Sequence, residues 1–250
     1  RQRQMCIRDS YGADMNKYLD SGNEARIKKA YESRDPRLQM AVITPYAQYN
    51  GASSGIAHTY TLRWPYRGSD SAEPFDIRTD TNDKFYYLWR KFVPEGLEQT
   101  ERDTYGLDIP LIRYAEVLLL KAEALNEWGS THESEAIRCV NEVRRRAGHV
   151  ELNNATYPAT KVNGQSDLRE RIRNEYYWEI GGEDSMYFHE LRWGTWKDKK
   201  FDNNRNGLMQ MWGETTYTWY WLGDQCWSWP IPAKEMEMNS NLEQNEGWIN

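Results

Sequence analysis

Two consecutive amphipathic segments joined by a short turn constrain this chain more than any other feature. In "DIPLIRYAEVLLLKAEALNEWG", Leu111, Ala115, Leu118, Leu119, Ala122 and Leu125 recur at the three-to-four spacing of a buried helical stripe. Asp108 is placed to cap the start, Pro110 suits a first turn, and Gly129 can supply the left-handed stop. The next segment, "STHESEAIRCVNEVRRRAGH", has Ser130 and Glu133 at capping-box spacing, with Ile137, Val140, Val143 and Ala147 as its inward face and Gly148 as its end. Together they predict a helical hairpin, and the small Ala115, Ala122, Ala124 and Ala136 allow the close approach found in tetratricopeptide-like pairs.

Further helices are expected around this pair. One starts near Ser166 or Asp167, where Leu168, Ile172, Tyr176 and Ile180 follow at helical spacing, and Gly181-Gly182 breaks it. "EDSMYFHELRWG" resumes as a shorter helix, and an earlier one covers Asn23 to Ser33, ahead of "RDPRLQMAVI". Between Thr44 and Thr104 no period is sustained, and Gly, Ser, Asn and Pro interleave with aromatics. That texture reads as long ordered loops with short strands, and loops of such length are uncommon in a compact domain unless functional. Asn153 to Gln165 and Lys197 to Gly213 are similarly irregular. The expected fold is therefore mainly α, an α-α superhelix of tetratricopeptide-like pairs carrying long irregular loops and short strands.

Charge and hydropathy remove several functions. A net charge of -6 and a pI near 5.4 lack the basic stripe that phosphate backbones need, so no nucleic-acid partner is expected. Mean hydropathy is -0.94, and no run approaches the roughly 20 apolar residues of a spanning helix. Cys6, Cys139 and Cys226 lie far apart without a CxxC pair, and His58, His132, His149 and His189 are scattered. Neither a zinc site, a disulfide framework nor any cofactor is expected. The opening "RQRQMCIRDS" has no apolar stretch or cleavage motif; residues 1–10 read as a non-native leader resembling translated adapter sequence, with the genuine protein entering near Tyr11.

Three patterns suggest chemistry. "GASSG", Gly51 to Gly55, matches the G-x-S-x-G nucleophile elbow around Ser53, but "QYN" before it and "IAHTYT" after it do not supply the strand and helix an elbow needs. "DNNRNG", Asp202 to Gly207, matches the first half of a calcium loop; its twelfth position falls on Gly213, and the nearest carboxylate, Glu214, is one residue late. It reads as a polar turn. A glycosidase pair can be assembled on paper from Glu175 and Glu183, yet nothing in the sequence fixes their separation.

The aromatics are more informative. The chain holds 12 Trp, 17 Tyr and 5 Phe, more than the helical stripes can absorb, so some rings face loops. Tyr and Trp pair a flat apolar face with a polar edge, which suits the apolar face and hydroxylated rim of a pyranose. In the loop region Tyr46, Tyr49, Tyr60, Trp64 and Tyr66 alternate with Asn50, Arg63, Arg67 and Asp70, which can hydrogen-bond hydroxyls. Each of these rings is equally suited to packing loops onto helices. "TYTWYWLGDQCWSWP" adds Trp219, Trp221, Trp227 and Trp229, read here as pinning the irregular end of the chain onto the helices.

With these segments in view, the chain resembles the C-terminal half of the SusD/RagB family, the surface glycan-binding lipoproteins of Bacteroidetes. "RYAEVLLLKAEALN" and "NEVRRRAG" resemble two of its helices. "RNEYYWEIGGEDSMYFHELRWG" resembles its "ERRxELxxEGxRxxDLxRWG" segment through Glu175, Glu179, Glu183, Leu191, Arg192, Trp193 and Gly194. The tail "WPIPAKEMEMNSNLEQNEGW" is similar to its closing "PIPxxExxxNPxLxQNPGY", and "DPRL" at Asp35 fits as well. Tyr176-Tyr177 stand where the family often has two arginines, and Asp184-Ser185-Met186 replace its Gly-His/Lys-Arg.

The resemblance implies that residues 11–250 are the C-terminal portion of one SusD-like domain. It also implies a non-enzymatic protein held at the outer membrane by a lipidated cysteine in a missing N-terminal half. Its partners would be an oligosaccharide and a SusC-like TonB-dependent transporter. Family ligand aromatics come from variable loops, so Trp64, then Tyr66 and Tyr60, lead the expected glycan site, with Tyr46, Tyr49, Asn50, Arg63 and Asp70 around them. Two other readings stay open: a helical-repeat scaffold that binds protein without glycan, and a hydrolase using Ser53 or Glu175.

Overall fold

The computed structural model describes residues 31, 34–44, 46–53, 55–63, 76–78, 88–96, 108, 110–183, 185–201, 221 and 223–248. The expected helix Asn23 to Ser33 lies outside them apart from Tyr31, as do Trp64, Tyr66, Asp70 and the Asp202 to Gly207 turn. The chain divides into two compact units, residues 1–186 and 187–250.

The first unit is built on helices. Helix α1 (Pro36–Ala41) starts from Asp35, whose carboxylate accepts from the Arg37 amide, with Pro36 at the first position, where a missing N–H costs nothing. Strand β1 (Val42–Ile43) follows directly. Strands β2 (Gln48–Ser53) and β3 (Ile56–Arg63) form an antiparallel hairpin, and β4 (Asp76–Arg78) pairs with β3 in parallel. Strand β5 (Leu88–Trp89) returns to pair with β1, Val42 opposite Trp89.

The expected hairpin of helices is present as α2 (Tyr114–Trp128) and α3 (Glu133–Arg146). Leu118, Leu119, Ala122 and Leu125 of α2 are buried, as are Ala136, Ile137, Cys139, Val140 and Val143 of α3. Gly129 and Gly148, both at positive φ, end the two helices as anticipated. The starts differ. Helix α2 begins six residues after Asp108, from an extended Arg113, so Asp108 caps nothing there and Leu111 stands 89% exposed. Ser130 belongs to a 3-10 turn, Ser130–His132, and makes no capping bond. Arg113, extended ahead of the helix, pairs its guanidinium with Glu179 and Glu183.

Helix α4 (Gln165–Glu179) packs against α2, α3 and α1, burying Leu168, Ile172, Tyr176 and Ile180. Between α3 and α4 the chain is irregular, as expected, with a 3-10 turn at Pro158–Thr160 and the Asn141 amide holding both backbone groups of Leu152. Gly182, at φ +87, turns the chain after α4 in a place where a Cβ would lie 2.8 Å from the Trp89 ring. Helix α5 (Ser185–Arg192) carries the chain into the second unit.

In the second unit, α6 (Trp196–Phe201) and α7 (Ala233–Met238) accompany a tail stitched by side chains. The Gln244 amide accepts from Ile231 N–H at 2.7 Å and donates to Ile231 C=O at 2.9 Å, standing in for a strand partner. Asn245 donates to Trp229 C=O, and the Trp248 indole donates to the carbonyls of Gln225 and Ser228. Trp221 and Trp227 pack together with centroids 5.1 Å apart, while Trp229 is 74% exposed. Among the described residues no helix is long and apolar enough to cross a membrane.

Candidate functional site

The hairpin β2–β3 carries the described part of the expected glycan site, and a buried charge network anchors its base. Arg37 of α1 takes Asp35 with Nε and Nη2, at 3.0 and 2.6 Å, and turns Nη1 toward Glu175 at 2.8 Å and Glu179 at 3.1 Å. The Arg37–Glu175 pair is a charge contact, whereas Glu179 accepts an aligned hydrogen bond. The second oxygen of Glu175 meets Arg144 of α3 at 2.9 Å, and Arg113 and Arg146 both reach Glu179. Glu183 accepts from Arg113 and Lys91.

Helical spacing explains why α4 serves as the hub. Glu175 and Glu179 lie four apart and so share one face, and Glu183 follows just past the helix end. Burial works to raise the carboxyl pKa values of Asp35 and Glu179, but their arginine partners outweigh it and hold both below the ordinary range. His149 is 3.4 Å from Asp35 and stacks on Trp178; burial and the neighbouring Arg144 keep its pKa below the usual value. Glu175 and Glu183, which the sequence allows to be paired only on paper as a glycosidase acid and base, are each held by two cations within the scaffold.

Residues 88–96 connect this network to the hairpin. Lys91 sits in the network through Glu183 and the Glu179 carbonyl. Its neighbour Arg90 donates to the carbonyls of Gln39 and Gln48 and pairs with Glu95 at 2.7 Å. Tyr49 OH donates to Pro94 C=O at 2.8 Å, and the Asn50 backbone N–H donates to the Glu95 carboxylate at 3.3 Å.

The strand register divides the sequence candidates between two faces. Directly opposed residues share a face, so Tyr49 with Tyr60 and Gly51 with His58 lie on one side, and Gln48 with Thr61 and Asn50 with Thr59 on the other. Tyr49 is buried in a small core with Ile43 and Leu62, Tyr60 packs against it half-buried, and His58 meets the Tyr60 ring edge-on at 6.3 Å. Gln48, Asn50 and Thr59 are exposed on the opposite face, where Thr59 OH donates to the side-chain Oδ1 of Asn50 at 3.2 Å. Tyr46 enters the hairpin with φ 64, its amide bonded to Leu62 C=O. Arg63 ends β3 opposite Arg78.

Thus Tyr49, Tyr60 and Asn50 do not share one surface. Gln48 and Thr59 join Asn50 on the outer face, and they escaped the sequence reading although the alternation in "HTYTLR" marks which residues point together. The same register settles the "GASSG" motif. Ser53 ends β2 opposite Ile56, the first residue of β3, with Gly55 just before it at φ +76, so the motif leads from strand to strand. A strand-to-strand hairpin turn is not a nucleophile elbow. Among the described residues no group of His, Cys, Asp and Glu is arranged to hold a metal, and Cys139 and Cys226 are free thiols.

A mainly helical core of paired helices, with a short-stranded hairpin on a charged base, defines a mainly α fold of helical pairs. The chain belongs to the SusD family, whose model matches residues 7–248. It is 32% identical over 139 residues to SusD-like protein P38 of Formosa agariphila, covering 55% of this chain and 24% of that protein. It is 28% identical over 161 residues to the starch-binding protein SusD of Bacteroides thetaiotaomicron, covering 64% and 25%. The aligned segments cover about a quarter of the length of these curated relatives. Among solved structures, a SusD-like protein from Bacteroides fragilis matches with TM-score 0.64 and 19% identity over 99% of this chain and 46% of that one. A SusD homolog from Bacteroides thetaiotaomicron matches with TM-score 0.55 and 22% identity over 86% and 41%. The fold is SusD-like.

Proposed function

We propose that the complete protein is a non-catalytic receptor that captures an oligosaccharide at the cell surface and passes it to a SusC-like TonB-dependent transporter, held at the outer membrane by a lipid anchor. The observation that carries this reading is family membership, joined to a relative that is named a starch-binding protein. The hairpin supports a site on this portion of the chain. Gln48, Asn50 and Thr59 form an exposed amide and hydroxyl face on a braced platform, in the strands that precede Trp64, Tyr66 and Asp70 in the sequence. Amides hydrogen-bond sugar hydroxyls, and Trp64 would supply the apolar ring beneath the sugar. The pairing of Glu175 and Glu183 with cations supports a binding role over hydrolysis.

The test is an affinity-gel screen of the complete protein against polysaccharide classes, run beside Trp64→Ala with circular dichroism as a folding control. One aromatic–sugar contact contributes about 1 kcal/mol, so the variant should lose roughly fivefold in retention by one polysaccharide class. Unchanged retention would place the site away from Trp64, and product release by the wild type would refute a purely binding role.

A further inference from the structure

We propose that the oligosaccharide taken by this protein is acidic: the outer face of the sheet β2–β3–β4 accepts a sugar bearing a carboxylate or sulfate, with Arg63 and Arg78 as the groups that select it. The proposal rests on the glycan-binding reading above and names the class of sugar. The faces follow from the register. Leu62 is fully buried on the inner face with Tyr49, and its partner across the parallel ladder is Ile77. Successive residues of a strand alternate between faces and directly paired residues share one. Thr61 and Arg63 of β3 and Asp76 and Arg78 of β4 therefore fall on the outer face, with Asn50 and Thr59. The sequence agrees, since "TLR" and "DIR" both read polar, apolar, polar.

Arg63 and Arg78 are direct register partners. Like charges set opposite one another on neighbouring strands, about 4.8 Å apart, destabilise a sheet, so packing gives no reason for two arginines at these positions, whereas a shared anion does. Asp76, two residues before Arg78 and diagonal to Arg63, offsets one of the two charges, and the face keeps a positive excess. Its other polar positions, Gln48, Asn50, Thr59 and Thr61, are uncharged. At the edge of β2, Arg90 adds nothing to the excess, because its guanidinium is held by the carbonyls of Gln39 and Gln48 and by Glu95, whose charge it matches.

The chemistry of the guanidinium sets the ligand class. It is a planar fork that takes an oxyanion through two parallel N–H···O bonds, and such charge-assisted bonds are stronger than those to a neutral hydroxyl. Two forks on adjacent strands suit one oxyanion, while the amides of Gln48 and Asn50 take ring hydroxyls. Trp64 follows Arg63 directly in the chain, which joins the anion site to the expected stacking ring. The net charge of -6 repels an acidic polymer, but salt screens exposed charges beyond about 8 Å under physiological conditions. The local excess on this face decides the contact.

The experiment runs the complete protein on affinity gels of matched polysaccharides: polygalacturonate against its methyl ester for the carboxylate, and a sulfated galactan against its desulfated form for the sulfate. An acidic member should retard the protein and its neutral counterpart should not, and the pair that responds names the anion. Arg63→Gln and Arg78→Gln should each weaken that retention several-fold, and the double variant should lose most of its dependence on sodium chloride. Arg63→Gln should leave the urea midpoint unchanged or raise it, because it relieves a like-charge pair; a clear fall would mark a structural arginine and count against the proposal. Equal or stronger retention by neutral polymers would overturn the acidic class and leave the glycan-binding reading intact. Retention by no polymer, acidic or neutral, would defeat that reading and this proposal with it. Retention by an acidic polymer that both variants keep in full would place the anion away from this face and overturn the roles of Arg63 and Arg78.

Discussion

A single nitrogen of Arg37 lies 2.8 Å from Glu175 and 3.1 Å from Glu179, so one guanidinium from α1 clamps two carboxylates on successive turns of α4. Glu175 is fully buried, Glu179 nearly so, and Arg37 is 7% exposed. Removing one partner from such a pair leaves the others charged in a dry environment. Arg37→Ala and Glu175→Ala should each cost about 3–5 kcal/mol, read from urea denaturation. The double variant should cost clearly less than the two combined, because the second substitution removes a charge that the first had stranded. Additive losses would show that the groups do not act as one unit.

The same network makes stability depend on acid. Asp35 and Glu179 have folded pKa values below their unfolded ones, so their contribution is present above the unfolded values and is lost as pH falls through the folded values. His149 is also depressed, by burial first and then by Arg144, so charging it in the folded state opposes folding. The unfolded chain takes up its protons first in all three cases. Stability should begin to fall below about pH 6.5 as the unfolded imidazole protonates, and fall further below about pH 4. His149→Gln should remove the upper part of that slope and leave the lower part; an unchanged profile would dismiss the role given to His149.

The two faces of the hairpin should separate stability from binding. Tyr49→Phe removes the bond to Pro94 C=O and should cost about 1 kcal/mol with glycan retention unaltered. Asn50→Ala, on the exposed face, should leave the unfolding midpoint nearly unchanged and weaken retention. Weakened retention in Tyr49→Phe alone would reverse the assignment of faces.

Gly182 should tolerate no side chain. Its φ of +87 already costs an L-residue about 1–2 kcal/mol, and a Cβ would press on the Trp89 ring at 2.8 Å. Gly182→Ala should lower the thermal midpoint and shift tryptophan emission as Trp89 moves; a neutral substitution would mean that the turn relaxes freely.

What the sequence determined by itself is local. Leu118, Leu119, Ala122 and Leu125 declare a helical face because neighbours three and four apart meet on one side whatever the rest of the chain does, and Gly129 and Gly148 mark stops because few other residues take a left-handed turn cheaply. Those stripes, with the closing "PIP" tail, were enough to reveal the family. The tertiary structure decided what depends on distant residues meeting. Nothing near Arg37 in "DPRL" announces Glu175 and Glu179, and nothing near Arg113 announces Glu179 and Glu183. The strand register, fixed by pairing across the turn, turned Tyr49 inward and Asn50 outward from adjacent positions. A burial pattern follows from a short period along the chain, but a charge finds its partner only through the path the folded backbone takes.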